Sequence, residues 1–167
     1  IVIIGSGPAG LSAAIYGSRS GLDVLVIEKI SHGVGQIAEA DCINNYLGFS
    51  SIRGFELGMQ FRTHAEACGV RFQESEAIKL ERTDACWKIY AKDGSCIQSK
   101  TVIYAAGASH RHLNVFGEEA LIGKGVSYCA TCDGTFYTGK DVAVIGGGNT
   151  AVGDALYLSD LCHKVYL

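Results

Sequence analysis

Ile1-Val2-Ile3-Ile4-Gly5-Ser6-Gly7-Pro8-Ala9-Gly10 is the stretch whose reading decides the fold. Four apolar residues stopped by a glycine read as a strand buried on both faces of a parallel sheet. Residues 9–19 then carry Leu11, Ala14 and Ile15 on one helical stripe, with Gly21 beyond them as a C-cap. Val24-Leu25-Val26-Ile27 gives a second buried strand, which ends at Glu28. Strand, glycine turn, helix and strand make the start of a βαβ unit. Inside it Gly5 permits the tight turn, Gly7 lets the backbone approach a pyrophosphate, and Gly10 lets the helix pack closely. The helix N-terminus adds free amides and the positive end of a dipole. Glu28 is placed to accept hydrogen bonds from the ribose hydroxyls of an adenosine. A bare G-x-G-x-x-G also arises as a structural turn, but strand, helix and acid around this one together indicate dinucleotide binding.

The theme recurs near the other end. Val142-Ala143-Val144-Ile145 leads into Gly146-Gly147-Gly148-Asn149-Thr150-Ala151, a helix through about Leu161 and a strand start at Lys164-Val165-Tyr166-Leu167. Gly146, Gly148 and Ala151 repeat the fingerprint with the permitted alanine in third place, which reads as a second nucleotide site. Between the two, residues 31–51 form a long loop punctuated by Gly, Asn and Ser. Residues 55–68 return to helical spacing, and strands follow at 70–72, 78–80 and 87–91. Lys92-Asp93-Gly94-Ser95 turns the last of these into a hairpin with Cys96-Ile97. Residues 101–106 are again apolar and end at Gly107, and residues 109–140 are rich in loops. The second βαβ start is too short to bury a core by itself, so the chain is expected to be a piece of a longer protein or to borrow the rest.

Composition excludes several classes. The 167 residues hold 14 Lys plus Arg against 17 Asp plus Glu, a formal charge of -3, with no block of like charge. Nothing in that pattern recruits nucleic acid or an anionic membrane. Apolar runs fall well short of the roughly 20 residues that span a bilayer, and no secretory signal opens the chain, so a soluble protein is expected. Glycine is unusually frequent at 22 residues, about twice ordinary usage. The 7 cysteines are odd in number and mostly in apolar or helical contexts, unlike a secreted disulfide framework, which favours a reducing, cytoplasmic setting.

Cys129-Ala130-Thr131-Cys132-Asp133-Gly134 carries the other chemistry. Two cysteines at this spacing can bring their sulfurs together, and the thiolate of such a pair attacks disulfides. A zinc site would need two more ligands, and His110, His112 and His163 are scattered in the sequence with no second Cys pair, so no metal is expected. Asp133 is open to two readings: it moves a proton to or from a thiol, or it forms a turn before Gly134. Two nucleotide sites with a dithiol between them suggest electrons passing from a nicotinamide through a second cofactor to sulfur.

Gly5 to Gly10, Glu28, Gly35-Gln36-Ile37, Asn45-Tyr46, Ala106-Gly107-Ala108, Cys129 to Gly134 and Gly146 to Ala151 together resemble the low-molecular-weight thioredoxin reductases, in order and over nearly the whole chain. The resemblance implies an α/β fold of two Rossmann-like domains with parallel sheets: an FAD-binding domain over residues 1–115, lacking its C-terminal segment, and the truncated start of an NADPH-binding domain over 116–167. It implies that FAD is held by Gly5, Ser6, Gly7, Pro8, Ala9, Gly10, Glu28, Lys29, Gly35, Gln36, Asn45, Ala106 and Gly107, and NADPH by Gly146, Gly148, Asn149, Thr150 and Ala151. By the same resemblance Cys132 is the sulfur nearer the flavin, Cys129 attacks thioredoxin or a thioredoxin-like partner, Asp133 is the acid/base, and the protein is a homodimer. The flavoprotein of a peroxide-reducing system shares the layout, but Ala130-Thr131 favours a thioredoxin reductase; a non-catalytic nucleotide-binding fragment is the third reading. The chain departs from the family at Val34, where glycine is usual, so a side chain is expected beside a close flavin approach. It departs again at Asn44, Leu47, Phe116 and Gly153.

Overall fold

β1 (Val2–Ile4) is the hub of the first part of the molecule. The computed structural model describes residues 1–167, and the chain divides into two units, Ile1–Ser109 and His110–Leu167. In the first, β1 leads through the glycine turn into α1 (Pro8–Arg19) and on to β2 (Leu25–Glu28). α2 (Gly54–Ala67) follows the long loop, and β3 (Arg71–Glu74) comes next. β4 (Ala77–Arg82), β5 (Trp87–Ala91) and β6 (Cys96–Ser99) form an antiparallel sheet, after which β7 (Val102–Tyr104) returns to β1. The main sheet has the order β3-β2-β1-β7, and β1 pairs in parallel with β2 (Val2 opposite Leu25) and with β7 (Val2 opposite Val102).

The continuous apolar run of β1 is explained by what covers it. Ile3 faces Leu11, Ala14, Val26, Ala65 and Val70 on the side of α1 and α2. Val2 and Ile4 face the other way, with Ile27 and with Ile89 of the antiparallel sheet. A central parallel strand covered on both faces leaves no position for a polar residue.

Several bounds differ from the sequence reading. β3 lies at Arg71–Glu74 rather than 70–72, because pairing with β2 recruits polar residues at a sheet edge that hydrophobicity does not mark. β7 stops at Tyr104, where its pairing to β1 ends, instead of running to Ala106. The loop at 31–51 contains a 3-10 turn at Gly35–Glu39 and a bridge between Ile43 and Ile52.

The second unit contains α3 (Glu118–Leu121), then α4 (Ala130–Asp133) running into a 3-10 turn at Gly134–Tyr137. β8 (Asp141–Ala143), α5 (Asn149–Ser159) and β9 (Lys164–Tyr166) complete it as a strand, helix and strand with β8 and β9 parallel. β8 ends at Ala143, short of the apolar run through Ile145. Leu158 is the one hydrophobic residue of this unit that is buried. The fold class is α/β with a parallel sheet, as the sequence implies. No helix is long and apolar enough to cross a membrane.

Candidate functional site

The first glycine turn is built by close backbone approach. Gly5 has φ +107, and a Cβ there would collide with the Ala105 carbonyl and come within 3.1 Å of Ala106 Cα. A Cβ on Gly10 would overlap the Gly5 carbonyl, which is why α1 can start directly under the strand. At Gly7 a Cβ would meet only Gly35 Cα at 3.7 Å and the Val34 carbonyl at 3.9 Å, so this part of the turn is walled by backbone alone. Gly7 is also the N-cap of α1, with no side chain capping the helix and Pro8 at its start. The first-turn amides therefore lack partners, the condition under which a helix start takes an anion. Ser6 faces away from it, its hydroxyl donating to the Gly33 carbonyl at 2.5 Å.

Gly5, Gly7, Gly10, Gly35 and Ala106 thus come together around one turn. Gln36 lies exposed in the 3-10 turn beside Gly35, and Asn45 lies exposed in the loop between Ile43 and Ile52. Lys29 pairs with Glu76 at 2.8 Å. Ala9 stands in the first turn of α1, and Gly107 is exposed at φ +73 just beyond β7.

Glu28 has neighbours that the sequence reading did not include. Its carboxylate is buried, and both oxygens accept from Arg62 Nη1, at 2.9 and 2.7 Å. Arg62 Nε donates to Glu66 at 2.7 Å, and the guanidinium lies 3.4 Å from the centroid of the Phe72 ring. A charged residue next to the Leu57, Phe61 and Ala65 stripe of α2 was the available signal that a buried acid awaited it.

Val34 behaves differently from the sequence expectation. Its side chain is 2% exposed and turns into α2, where a Cβ on Gly58 would overlap its γ carbons. What Val34 presents to the glycine turn is its carbonyl. Gly58 supplies the space, so the side chain is taken up by the core.

In the second unit Gly146 has φ +145, and a Cβ there would lie 3.1 Å from that of Ala151. Gly148 is the N-cap of α5, again without a side-chain cap, and a Cβ on Gly147 or Gly148 would meet nothing within 4 Å. Asn149 and Thr150 are exposed at the helix start. The uncapped helix start of the first turn is repeated here, but Gly147 and Gly148 face open space where Gly7 faces backbone.

Cys129 and Cys132 form a disulfide with a Cα separation of 5.3 Å, and the other five cysteines are free. Cys129 caps α4, its sulfur accepting from the Cys132 amide at 3.2 Å. Gly134 is needed where the redox turn meets α5: a Cβ there would lie 3.0 to 3.3 Å from Tyr157, Leu158 and Leu161. The disulfide turn therefore packs near the C-terminal end of α5, while Gly146 and Gly148 stand at its N-terminal end. Asp133 is half-buried and accepts from the Ser127 hydroxyl at 2.6 Å.

Beside the disulfide lies a cluster assembled from residues scattered in sequence. Tyr128 donates its hydroxyl to Glu118, whose carboxylate also accepts from the amides of Leu113 and Asn114 at 2.9 and 2.7 Å. These donors, Tyr128 first, hold Glu118 down at about 2. The same contact pushes the Tyr128 phenol up to about 12. His110 stacks on Tyr128 with 3.5 Å between ring centroids, and His112 approaches the phenol oxygen at 3.3 Å. Ser127, Tyr128 and Glu118 carry no motif; the first two are marked only by preceding Cys129, and Glu118 by nothing in the sequence.

A family model described as pyridine nucleotide-disulphide oxidoreductase matches residues 1–167. Among curated proteins, the thioredoxin reductase of Mycoplasma genitalium is 41% identical over 167 residues, 100% of this chain and 53% of that protein. The crystal structure of thioredoxin reductase from Streptococcus pyogenes superposes with a TM-score of 0.90 at 41% identity, covering 98% of this chain and 53% of that one. Thioredoxin reductase from Giardia duodenalis gives 0.92 at 35% identity, over 99% and 53%. The chain spans about half the length of the curated relatives it matches.

Proposed function

Because the chain belongs to the pyridine nucleotide-disulphide oxidoreductase family, we propose that it carries the flavin turn and the redox disulfide of an NADPH-dependent thioredoxin reductase. The observation that carries this reading is the Cys129–Cys132 disulfide followed directly by Asp133, in a chain with two uncapped glycine turns. In this reading residues 1–115 belong to the FAD domain and residues 116–167 open the NADPH domain. Gly5 to Gly10, Glu28, Lys29, Gly35, Gln36, Asn45, Ala106 and Gly107 would hold FAD, whose pyrophosphate would sit at the backbone-walled turn at Gly7. Gly146, Gly148, Asn149, Thr150 and Ala151 would hold NADPH in the same way. The chemistry supplied by a bound flavin is two-electron transfer from nicotinamide to sulfur. Opened by two electrons, the pair becomes a nucleophile and a resolver. Cys129 attacks the partner's disulfide, Cys132 then attacks the Cys129 sulfur of the mixed disulfide, restoring the Cys129–Cys132 bond and releasing the partner's dithiol, and Asp133 exchanges the protons. The five remaining free cysteines agree with a reducing compartment.

The test uses the protein that contains this chain, purified with its flavin. Cys129→Ser and Cys132→Ser should each abolish thioredoxin reduction and leave flavin reduction by NADPH intact, because one thiol cannot resolve a mixed disulfide. Cys129→Ser should also show long-wavelength charge-transfer absorbance, from a lone Cys132 thiolate beside the oxidised flavin. Thioredoxin turnover retained in either variant overturns the reading.

A further inference from the structure

Ser127 stands two residues before Cys129, and its hydroxyl sits at a junction. The oxygen lies 2.6 Å from Asp133 Oδ2, 3.1 Å from the Cys129 amide nitrogen and 3.3 Å from the Cys129 carbonyl oxygen. A serine hydroxyl has one proton to donate. The carboxylate is both the nearer and the charged acceptor, so the proton goes to Asp133, and the Cys129 N–H donates to a serine lone pair. The redox turn has other bonds of its own: the Asp133 amide donates to the Cys129 carbonyl at 3.1 Å, and the Cys132 amide to the Cys129 sulfur at 3.2 Å. The Ser127 hydroxyl adds the contact that reaches the Asp133 carboxylate itself.

We infer that Ser127 is a positioning residue of the redox turn: its hydroxyl fixes the Asp133 carboxylate in the orientation from which it exchanges protons with the thiol pair. The inference rests on the reading of Asp133 as acid/base given above. Opening the disulfide moves two electrons and two protons onto Cys129 and Cys132, and each sulfur is a nucleophile or a leaving group only as thiolate. Protons must therefore arrive and depart as bonds break and form. An acid/base already in position serves that exchange better than one that swings free.

The experiment needs no nucleotide. The protein that contains this chain, purified with its flavin, is mixed with dithiothreitol, whose two thiols become a cyclic disulfide as Cys129 and Cys132 become thiols. Samples are quenched with acid, alkylated, and the peptide carrying both cysteines is quantified by mass spectrometry, which leaves the other cysteines out of the readout. Asp133→Asn should slow opening by about 100-fold, the lower range for a general acid/base, and Ser127→Ala by about 10-fold. Ser127→Thr, which keeps the hydroxyl, should stay within about 2-fold of the unaltered chain, and Ser127→Ala added to Asp133→Asn should cost nothing more. Ser127→Val, which shares the shape of threonine without its hydroxyl, repeats the comparison if the alanine variant unfolds. Slow opening in Asp133→Asn with ordinary opening in Ser127→Ala overturns the role of Ser127 and leaves the acid/base reading standing. Equal slowing by Ser127→Ala in both backgrounds also overturns it, since the serine then acts without Asp133. Ordinary opening in Asp133→Asn removes the acid/base reading and this inference with it.

Discussion

A carboxylate buried against one guanidinium carries a liability that an exposed one does not, since removing either partner strands a charge in the core. Glu28 and Arg62 are such a pair, with side chains 3% and 5% exposed. Glu28→Ala should destabilise the chain by about 3 kcal/mol, near the low end for breaking a buried pair because Glu66 and the Phe72 ring still hold Arg62. Urea unfolding of Glu28→Ala and of Glu28→Gln with Arg62→Met checks this; the double variant should recover most of the loss. A loss of flavin affinity without any loss of stability would overturn this cost while leaving the ribose role of Glu28 standing. Tyr128 and Glu118 make a second residue-scale prediction, with its sign fixed by the two shifts. Glu118, lowered from 4.5 to about 2, contributes stability that is complete above pH 4.5 and is lost as pH falls toward 2. Tyr128, raised from 10.0 to about 12, contributes stability that is complete below pH 10 and is lost as pH rises toward 12. Tyr128→Phe should shrink both the alkaline loss and the acid one, as read from urea midpoints across pH. An unchanged alkaline limb would count against the contact.

Between elements, the decisive contact is the one between the 3-10 turn region and α2. Val34 fills the space that Gly58 leaves, so Gly58→Ala forces a methyl against its γ carbons. The expected cost is about 1–3 kcal/mol, typical of overpacking. Val34→Gly in the same chain should restore most of it, by thermal or urea unfolding, while an additive double variant would break the pairing. This contact also shows what was legible beforehand. The strand, turn and helix at each fingerprint could be read because buried parallel strands and glycine turns write themselves locally, in runs such as Ile1 to Gly10. The hairpin at Asp93-Gly94 was legible for the same reason. Val34 was read as an obstacle, because its partner Gly58 lies on another element and only the folded chain sets the two face to face. Arg62, Glu118, Tyr128 and Ser127 escaped for that reason too: each matters through a contact that no local pattern encodes.

At the scale of the whole chain the two units differ in how much core they own. The central strand of the first is covered on both faces, and Ile3, Val26 and Ile89 are fully buried. The second buries Leu158 and leaves Ile145, Leu156 and Tyr166 exposed. Native-state hydrogen exchange should therefore divide along the same line, with amides of β1 and β2 protected at least about 100-fold more than those of β8 and β9. Equal protection in the two units would contradict it. The pairing of Val2 with both Leu25 and Val102 has a consequence for synthesis as well. Gly5 finds its tight seat against Ala105 and Ala106, at the far end of the same unit. On a ribosome adding 5–20 residues per second, roughly 4–15 s separate the appearance of β2 from that of β7. Through that interval the nascent chain holds its central strand with one side unpaired and its first glycine turn without a floor. A turn translated before β7 is thus among the last pieces of its unit to take shape, and a nucleotide can meet it only after the hairpin sheet has already emerged.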